Sequence, residues 1–322
     1  MKRQAWIYLL LSLFIVLAGC GKSVDTNAKG GAAVADPAKA GNQEVRTVKH
    51  ELGETKLQGV PKRIVALEFS FVDALATFGV SPVGVADDGD ANNIIEPIKQ
   101  KIQKYTSLGS RYEVNFELIA SVKPDLIIAD VSRHKEVYGK LEQIAPTIEL
   151  KSLGSDYNEN MASFHAIADA LGMKAEAEKR LKEHQAAMEQ LKKQIPAGEK
   201  RTVLPAVVTA AGFFAHTSKA YAGSVLEQLG LKDAIQSNDA YPKITLEQLV
   251  SANPEVLFLM VNAGEKTVLE EWKKNPLWSQ IPAVKNGQIY EVDRKMWSLS
   301  RGLISAETIG GNAIQLLYGQ KK

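Results

Sequence analysis

The segment FELIASVKPDLIIAD (residues 116–130) aligns without a gap to LEQLVSANPEVLFLM (residues 246–260). Each copy begins with a helix-like stretch carrying Glu117 or Glu247, passes through Lys or Asn, Pro and an acid, and ends in an unbroken apolar run. An apolar run of strand length, with no polar alternation, predicts a strand buried on both faces, as in parallel sheets. Two copies do not make a solenoid, which needs at least three units. They predict two related lobes.

The alternation extends outward from this repeat. In KRIVALEFSFVDALATFGVSPVGVAD (62–87), Ile64–Leu67 reads as a buried strand, Ser70–Phe78 as a short helix and Val83–Val85 as the next strand. Further strands are expected at Leu126–Ala129, Thr147–Leu150, Val203–Ala210 and Gln288–Val292. Strand-helix alternation of this kind implies parallel, doubly wound sheets. VDALATFGV (72–80) resembles SVLEQLGL (224–231), each a helix stopped by Gly. Between the halves lie YNENMASFHAIADALG (157–172) and KAEAEKRLKEHQAAMEQLKKQI (174–195), the latter dense in strong helix formers and stopped by Pro196 and Gly198. About 22 residues at 1.5 Å each reach roughly 33 Å, enough to cross from one lobe to the other and stiff enough to limit hinge motion.

The N-terminus addresses the compartment. Lys2 and Arg3 precede an apolar run from Ala5 to Val16, followed by LAGC (17–20). A charged start, an apolar core too short to span a membrane, and small residues before a cut describe a secretory signal over residues 1–19. Cys20 is the only Cys of the chain, so no intramolecular disulfide can form. Residues 20–45 are rich in Gly, Ala, Lys, Asp and Asn without apolar periodicity and read as a flexible tether. Removing Lys2 and Arg3 with the signal takes the formal charge from +2 to zero. That argues against nucleic acid as a partner. About 275 residues remain, enough for one large or two medium domains.

Together, LAGC, the tether, KRIVAL, GVSPVGVAD, LGSR, ELIASVKPDLIIAD, the long helix and the second half resemble the iron-siderophore-binding lipoproteins of ABC importers. Within that family LEFSFVDALATFGV, ADVSRHK and SRGLISAE look most like the ferric-citrate and carboxylate-siderophore branch. The resemblance implies an α/β fold of two Rossmann-like lobes joined by one long α-helix, with the ligand in the cleft between them. It places the N-terminal lobe at 46–155, the connector at 156–196 and the C-terminal lobe at 197–322. It further implies a monomer held to the membrane by diacylated Cys20, partnered by ABC permease subunits with a cytoplasmic ATPase, with no cofactor beyond the ferric ligand.

Arginine placement fits that chemistry. Of nine Arg, four lie in non-periodic segments near Gly or Ser: Arg111 in SLGSRYE, Arg133 in ADVSRHK, and Arg294 and Arg301 in VDRKMWSLSRG. Arg133, beside His134 and Lys135, falls just past a buried strand, at the rim where open α/β sheets bind ligands; an ordinary basic helix turn is the plainer reading. The resemblance implies that these four arginines hold the carboxylates of an anionic ferric complex, for which the planar guanidinium fork is suited. His216, in GFFAHTSKAY, is expected to donate to a carboxylate or hydroxyl oxygen, unless it is structural. Phe69, Ser70, Tyr221, Tyr241, Trp297 and Ser300 are candidate walls and donors. Glu117 and Glu247 either serve the helix dipole or, as the resemblance implies, dock the two permease subunits.

Competing chemistries lack their residues. There is no G-x-S-x-G, H-E-x-x-H, P-loop or C-x-x-C. ADDGD (86–90) departs from calcium-loop spacing and reads as a solvated turn. Hydroxamate or catecholate siderophores, haem and cobalamin remain alternative ligands, and a lipoprotein hydrolase the alternative class.

Overall fold

The computed structural model describes residues 45–262 and 264–319. The signal segment, Cys20 and all of the tether but Val45 lie outside the described residues. The described chain opens with an antiparallel hairpin, β1 (Val45–His50) and β2 (Gly53–Gln58), which the sequence reading did not anticipate.

The first lobe contains a five-stranded parallel sheet. Its strands are β3 (Ile64–Ala66), β4 (Gly84–Val85), β5 (Thr106–Ser107), β6 (Leu126–Asp130) and β7 (Thr147–Leu150), in spatial order β5-β4-β3-β6-β7. Alternate residues supply its two faces. Ile64, Ala66, Leu126 and Ile128 pack with the helices Phe69–Thr77 and Tyr157–Leu171, whereas Val65, Leu67, Ile127 and Ala129 fill the opposite layer. Burial on both faces is why the run shows no polar alternation.

The second lobe holds β8 (Thr202–Thr209), β9 (Gly212–Ala215), β10 (Lys232–Asp233), β11 (Lys243–Ile244), β12 (Val256–Val261) and β13 (Ile289–Asp293). Its path is β11-β9-β8-β12-β13, with β10 also paired to β8. This sheet is mixed, against the expectation of purely parallel pairing: β9 runs antiparallel to β8 and β11 antiparallel to β9. Only Ala210 and Ala211 separate β8 from β9, and a two-residue connection can make a hairpin but no parallel crossover.

The sequence repeat is a structural repeat. The helices Phe116–Ser121 and Leu246–Ala252 start from capping residues Asn115 and Thr245, each accepting a bond from a backbone N–H of the first turn. Both helices are followed by a left-handed residue, Lys123 (φ 46°) and Asn253 (φ 52°), before Pro. The acid after Pro anchors the neighbouring strand in each lobe. Asp125 accepts from the Lys62 and Arg63 amides at 2.8 Å, and Glu255 from the Thr202 amide at 3.0 Å.

Two helices fill the connector. Tyr157–Leu171 is closed by a capping box at Asp156 and stopped by left-handed Gly172; Lys174–Lys192 follows. The latter crosses between the cores, placing Ala177 and Leu181 in the first-lobe cluster and Met188 and Leu191 in the second. The C-terminal helix Leu303–Tyr318 crosses as well, with Leu303 and Ile304 in the first cluster and Ile309 and Ala313 in the second. Its start is pinned to the first lobe: fully buried Asp73 accepts from the Ile304 amide (3.2 Å), the Ser305 amide (2.8 Å) and the Ser305 hydroxyl (2.6 Å). Gly302 is required here, because its φ is 136° and a Cβ would lie 2.3 Å from the Asp73 carboxyl.

Candidate ligand-binding cleft

Each strand of the first sheet carries ionisable residues at or near its C-terminal end, the edge at which open α/β sheets bind ligands. Across the sheet these include Arg111 after β5, Asp88 after β4, Glu68 after β3, Arg133 after β6, and Glu149 within β7. Glu68 is fully buried and joins the two arginines, accepting from Arg111 Nη1 at 3.1 Å and from Arg133 Nε. Asp88, held at φ 57°, takes the other edge of Arg111, accepting from Nε (2.9 Å), Nη2 (2.7 Å) and the Arg111 amide (2.9 Å). The guanidinium of Arg111 lies 4.4 Å from the centroid of Phe69, and that of Arg133 lies 4.1 Å from Tyr112.

This changes the expected electrostatics. Bare arginines repelling one another would be a poor resting state in a buried site, since an unpaired charge there costs several kcal/mol. In the first lobe they are neutralised by Glu68 and Asp88. ADDGD does form a turn with Asp88, Gly89 and Asp90 exposed, but its acids have specific partners. Asp87 is buried and accepts from the Gly89 amide, Tyr105 and Ser107; Asp88 orients Arg111; and Asp90 caps a helical turn and meets Lys295 of the second lobe at 3.6 Å.

The second-lobe wall is built differently. Tyr241 precedes β11, His216 follows β9, and Arg294 and Arg301 follow β13. His216 and Tyr241 meet edge to face with centroids 4.7 Å apart. Arg294 Nε, Arg301 Nε and Nη1, His216 Nδ1 and the Tyr241 hydroxyl are all buried without a hydrogen-bond partner among the described residues. Burial, then the charges of Arg301 and Arg294, push His216 down to about 3, so it is neutral at pH 7. Arg301, only 4% exposed, feels Tyr241 of its own lobe and Glu68 and Arg133 of the other. The two walls therefore face each other through Arg301. At the mouth lies a cavity of about 830 Å³, lined by Asp88, Arg111 and Tyr112 on one side and Arg294, Lys295 and Leu299 on the other. Arg301, His216 and Tyr241 are not in that lining.

The structure thus brings together Arg111, Arg133, Phe69, His216, Tyr241, Arg294 and Arg301. The remaining candidates have other partners. Tyr221 is buried with its hydroxyl donating to the Gly302 carbonyl (2.6 Å) and accepting from the Gly302 amide (3.0 Å). Trp297 stacks on Phe258 at 4.8 Å in the second-lobe core and donates to Asn312. Ser300 bonds the Lys295 carbonyl and Ser70 bonds Ser152. His134 accepts from the Asp130 amide at Nδ1 (3.0 Å), so Nε2 is the protonated nitrogen and donates to the Arg111 carbonyl (2.9 Å). It braces the loop that carries Arg111. Glu117 and Glu247 are exposed, away from both walls in the first turns of their helices.

Sequence reasoning missed Glu68, Asp88, Tyr112, Lys295 and Glu149. Glu68 was visible as a lone acid directly after a buried strand, but its arginine partners lie 43 and 65 positions away. Glu149 is buried with both carboxylate oxygens unpartnered. Burial, then Asp130, pushes it up to about 8; burial, then Glu68, pushes Asp130 up to about 6. A carboxyl whose pKa rises on folding contributes stability that is full below its unfolded value, here 4.5, and lost as pH rises through about 8. Glu149→Gln should therefore flatten the pH dependence of stability across that window and raise stability at pH 8 by on the order of 2 kcal/mol. Urea midpoints measured across that pH range would show it, and an unchanged profile would refute it.

A family model described as periplasmic binding protein matches residues 64–296. The chain is 41% identical over 319 residues to the Fe(3+)-citrate-binding protein YfmC of Bacillus subtilis, covering 99% of this chain and 98% of that one. It is 39% identical over 275 residues to the Fe(3+) dicitrate-binding periplasmic protein FecB of Escherichia coli, covering 85% and 91%. Among solved structures, Staphylococcus aureus SirA complexed with staphyloferrin B superposes with a TM-score of 0.74 at 26% identity, covering 86% of this chain and 99% of that one.

Proposed function

We propose that this chain, which belongs to the periplasmic binding protein family, captures an anionic ferric carboxylate complex in the cleft between its lobes and delivers it to an ABC permease. Ferric citrate is the ligand we favour, in keeping with the names of the two relatives above. The observation that carries this reading is the second-lobe wall, where five polar atoms of Arg294, Arg301, His216 and Tyr241 are buried without partners among the described residues. Buried polar groups are paired in most proteins, and a cluster of exceptions converging from four residues calls for a partner outside the fold, an ordered water or a ligand. Two guanidinium groups, a neutral imidazole and a phenol offer donors to an anion rich in oxygen.

The site binds without turnover in this reading, in which Glu68 and Asp88 serve to hold Arg111 and Arg133. The receptor works outside the cytoplasmic membrane, anchored through diacylated Cys20, with Glu117 and Glu247 meeting the two permease subunits. Tryptophan-fluorescence titration against ferric citrate, iron-free citrate, a ferric catecholate and a neutral ferric trihydroxamate tests the ligand. Ferric citrate should bind at least a hundredfold more tightly than the neutral complex and be recovered unchanged. Preference for the neutral complex, or chemical conversion of the bound ligand, would refute the proposal.

A further inference from the structure

The first-lobe arginines already hold a carboxylate, and it belongs to the protein. Glu68 presents one oxygen to Arg111 Nη1 at 3.1 Å and the other to Arg133 Nε, with no exposure to solvent. One carboxylate between two guanidinium groups is how such a pair would grip a ligand carboxylate. Backing groups preserve the arrangement: Asp88 on the far edge of Arg111, Phe69 under its plane and Tyr112 against Arg133. Glu68 also stands at the extended residue that opens the helix Phe69–Thr77, yet it makes no side-chain cap there. Its carboxylate serves the arginines and not the helix end.

We propose that Glu68 is a built-in carboxylate that occupies the two-arginine site of the first lobe and thereby lowers the affinity of the cleft for carboxylate ligands. This rests on the reading of the cleft as a carboxylate site. The second lobe carries no equivalent: Arg294 and Arg301 form no ion pair among the described residues. An incoming anion is therefore drawn first to the second lobe, while the first lobe offers donors that Glu68 and Asp88 leave over. Glu68 attenuates the attraction by one charge, in a buried position where solvent screens little. A receptor that must surrender its cargo gains a faster release from such attenuation, because changes in affinity within one interface fall mainly on the dissociation rate.

Glu68→Gln keeps the shape and removes the charge, whereas Glu68→Ala also opens the space. For Glu68→Gln, calorimetry and stopped-flow fluorescence should show both ferric citrate and iron-free citrate bound about tenfold more tightly, chiefly through slower dissociation. Affinity should fall more steeply with added NaCl than in the parent protein, and a neutral ferric trihydroxamate should not gain. For Glu68→Ala, sodium formate should raise the melting temperature and compete with citrate, neither of which it does in the parent. Equal or weaker binding of both citrates by a folded Glu68→Gln, loss of folding in both variants, or formate without effect on Glu68→Ala would overturn the proposal and leave Glu68 a structural counter-ion. If the parent protein binds no ferric citrate, the assignment of the ligand falls; the iron-free citrate and formate responses still decide the role of Glu68.

Discussion

Arg301→Met is expected to weaken ferric-citrate binding about a hundredfold while making the ligand-free protein more stable. The two effects share one cause. Arg301 is 4% exposed, and its Nε and Nη1 have no partner among the described residues. Truncating one member of a buried, hydrogen-bonded charge pair costs roughly 2–5 kcal/mol of binding, and about 2.7 kcal/mol is a hundredfold in the dissociation constant. In the ligand-free state the same side chain is a buried cation: burial disfavours its charge, Tyr241 and Glu68 favour it enough to hold its pKa above the usual value, and Arg133 opposes it. Replacing whole buried ion pairs with well-packed apolar side chains is often neutral or stabilising by about 1–4 kcal/mol, because the desolvation cost is removed, and a buried guanidinium without an ion pair among the described residues carries that cost too. Methionine fills most of the volume without the charge. Calorimetric titration and urea unfolding of the same sample test both halves. Tight binding retained by the variant would remove Arg301 from the site, and a destabilised variant would make it a structural residue.

Charge reversal at the repeated glutamates should act in the opposite way, abolishing transport and sparing affinity. Glu117 and Glu247 are exposed, sit in the first turns of matching helices and form no ion pair among the described residues. An exposed carboxylate near a helix N-terminus contributes little to stability, because solvent and salt screen its interaction with the helix dipole, so Lys at either position leaves the fold intact. For Glu247 the position is already favourable to the ionised form. Its pKa is lowered, first by its own backbone amide and then by Thr245. One acid per lobe, presented at equivalent places, suits a transporter with two related subunits. Glu117→Lys and Glu247→Lys should each reduce radiolabelled ferric-citrate uptake by cells to background, with dissociation constants within twofold of the parent. Normal uptake, or affinity lost in step with uptake, would dismiss the docking role.

The cleft arginines show how far local reading carries. Arg111, Arg133, Arg294 and Arg301 stand out because each lies in a non-periodic segment near Gly or Ser, and the structure places two in each lobe. Trp297 and Ser300 share a segment with Arg294 and Arg301, and Tyr221 and Ser70 lie elsewhere, but all four turn inward, since a phenol, an indole or a hydroxyl can be satisfied by backbone, by Asn312 or by Ser152. Composition alone does not say which way such amphipathic side chains point. The acids were harder still. Glu68, Asp88 and Glu149 resemble any carboxylate at the end of a strand, and only their partners distinguish them.

By itself the sequence determined the two-lobe α/β plan, because burial on both faces writes unbroken apolar runs into the chain and the run occurs twice in register. It also determined the crossing helix, through an unbroken stretch of strong helix formers between stops. Only the tertiary structure decided that the second sheet is mixed, that the C-terminal helix crosses beside the connector, and that the first lobe neutralises its own arginines while the second does not. Hydrophobic periodicity is local and survives in one dimension. Charge compensation depends on distances between residues brought together by strand order, and that order is set by how the whole sheet packs.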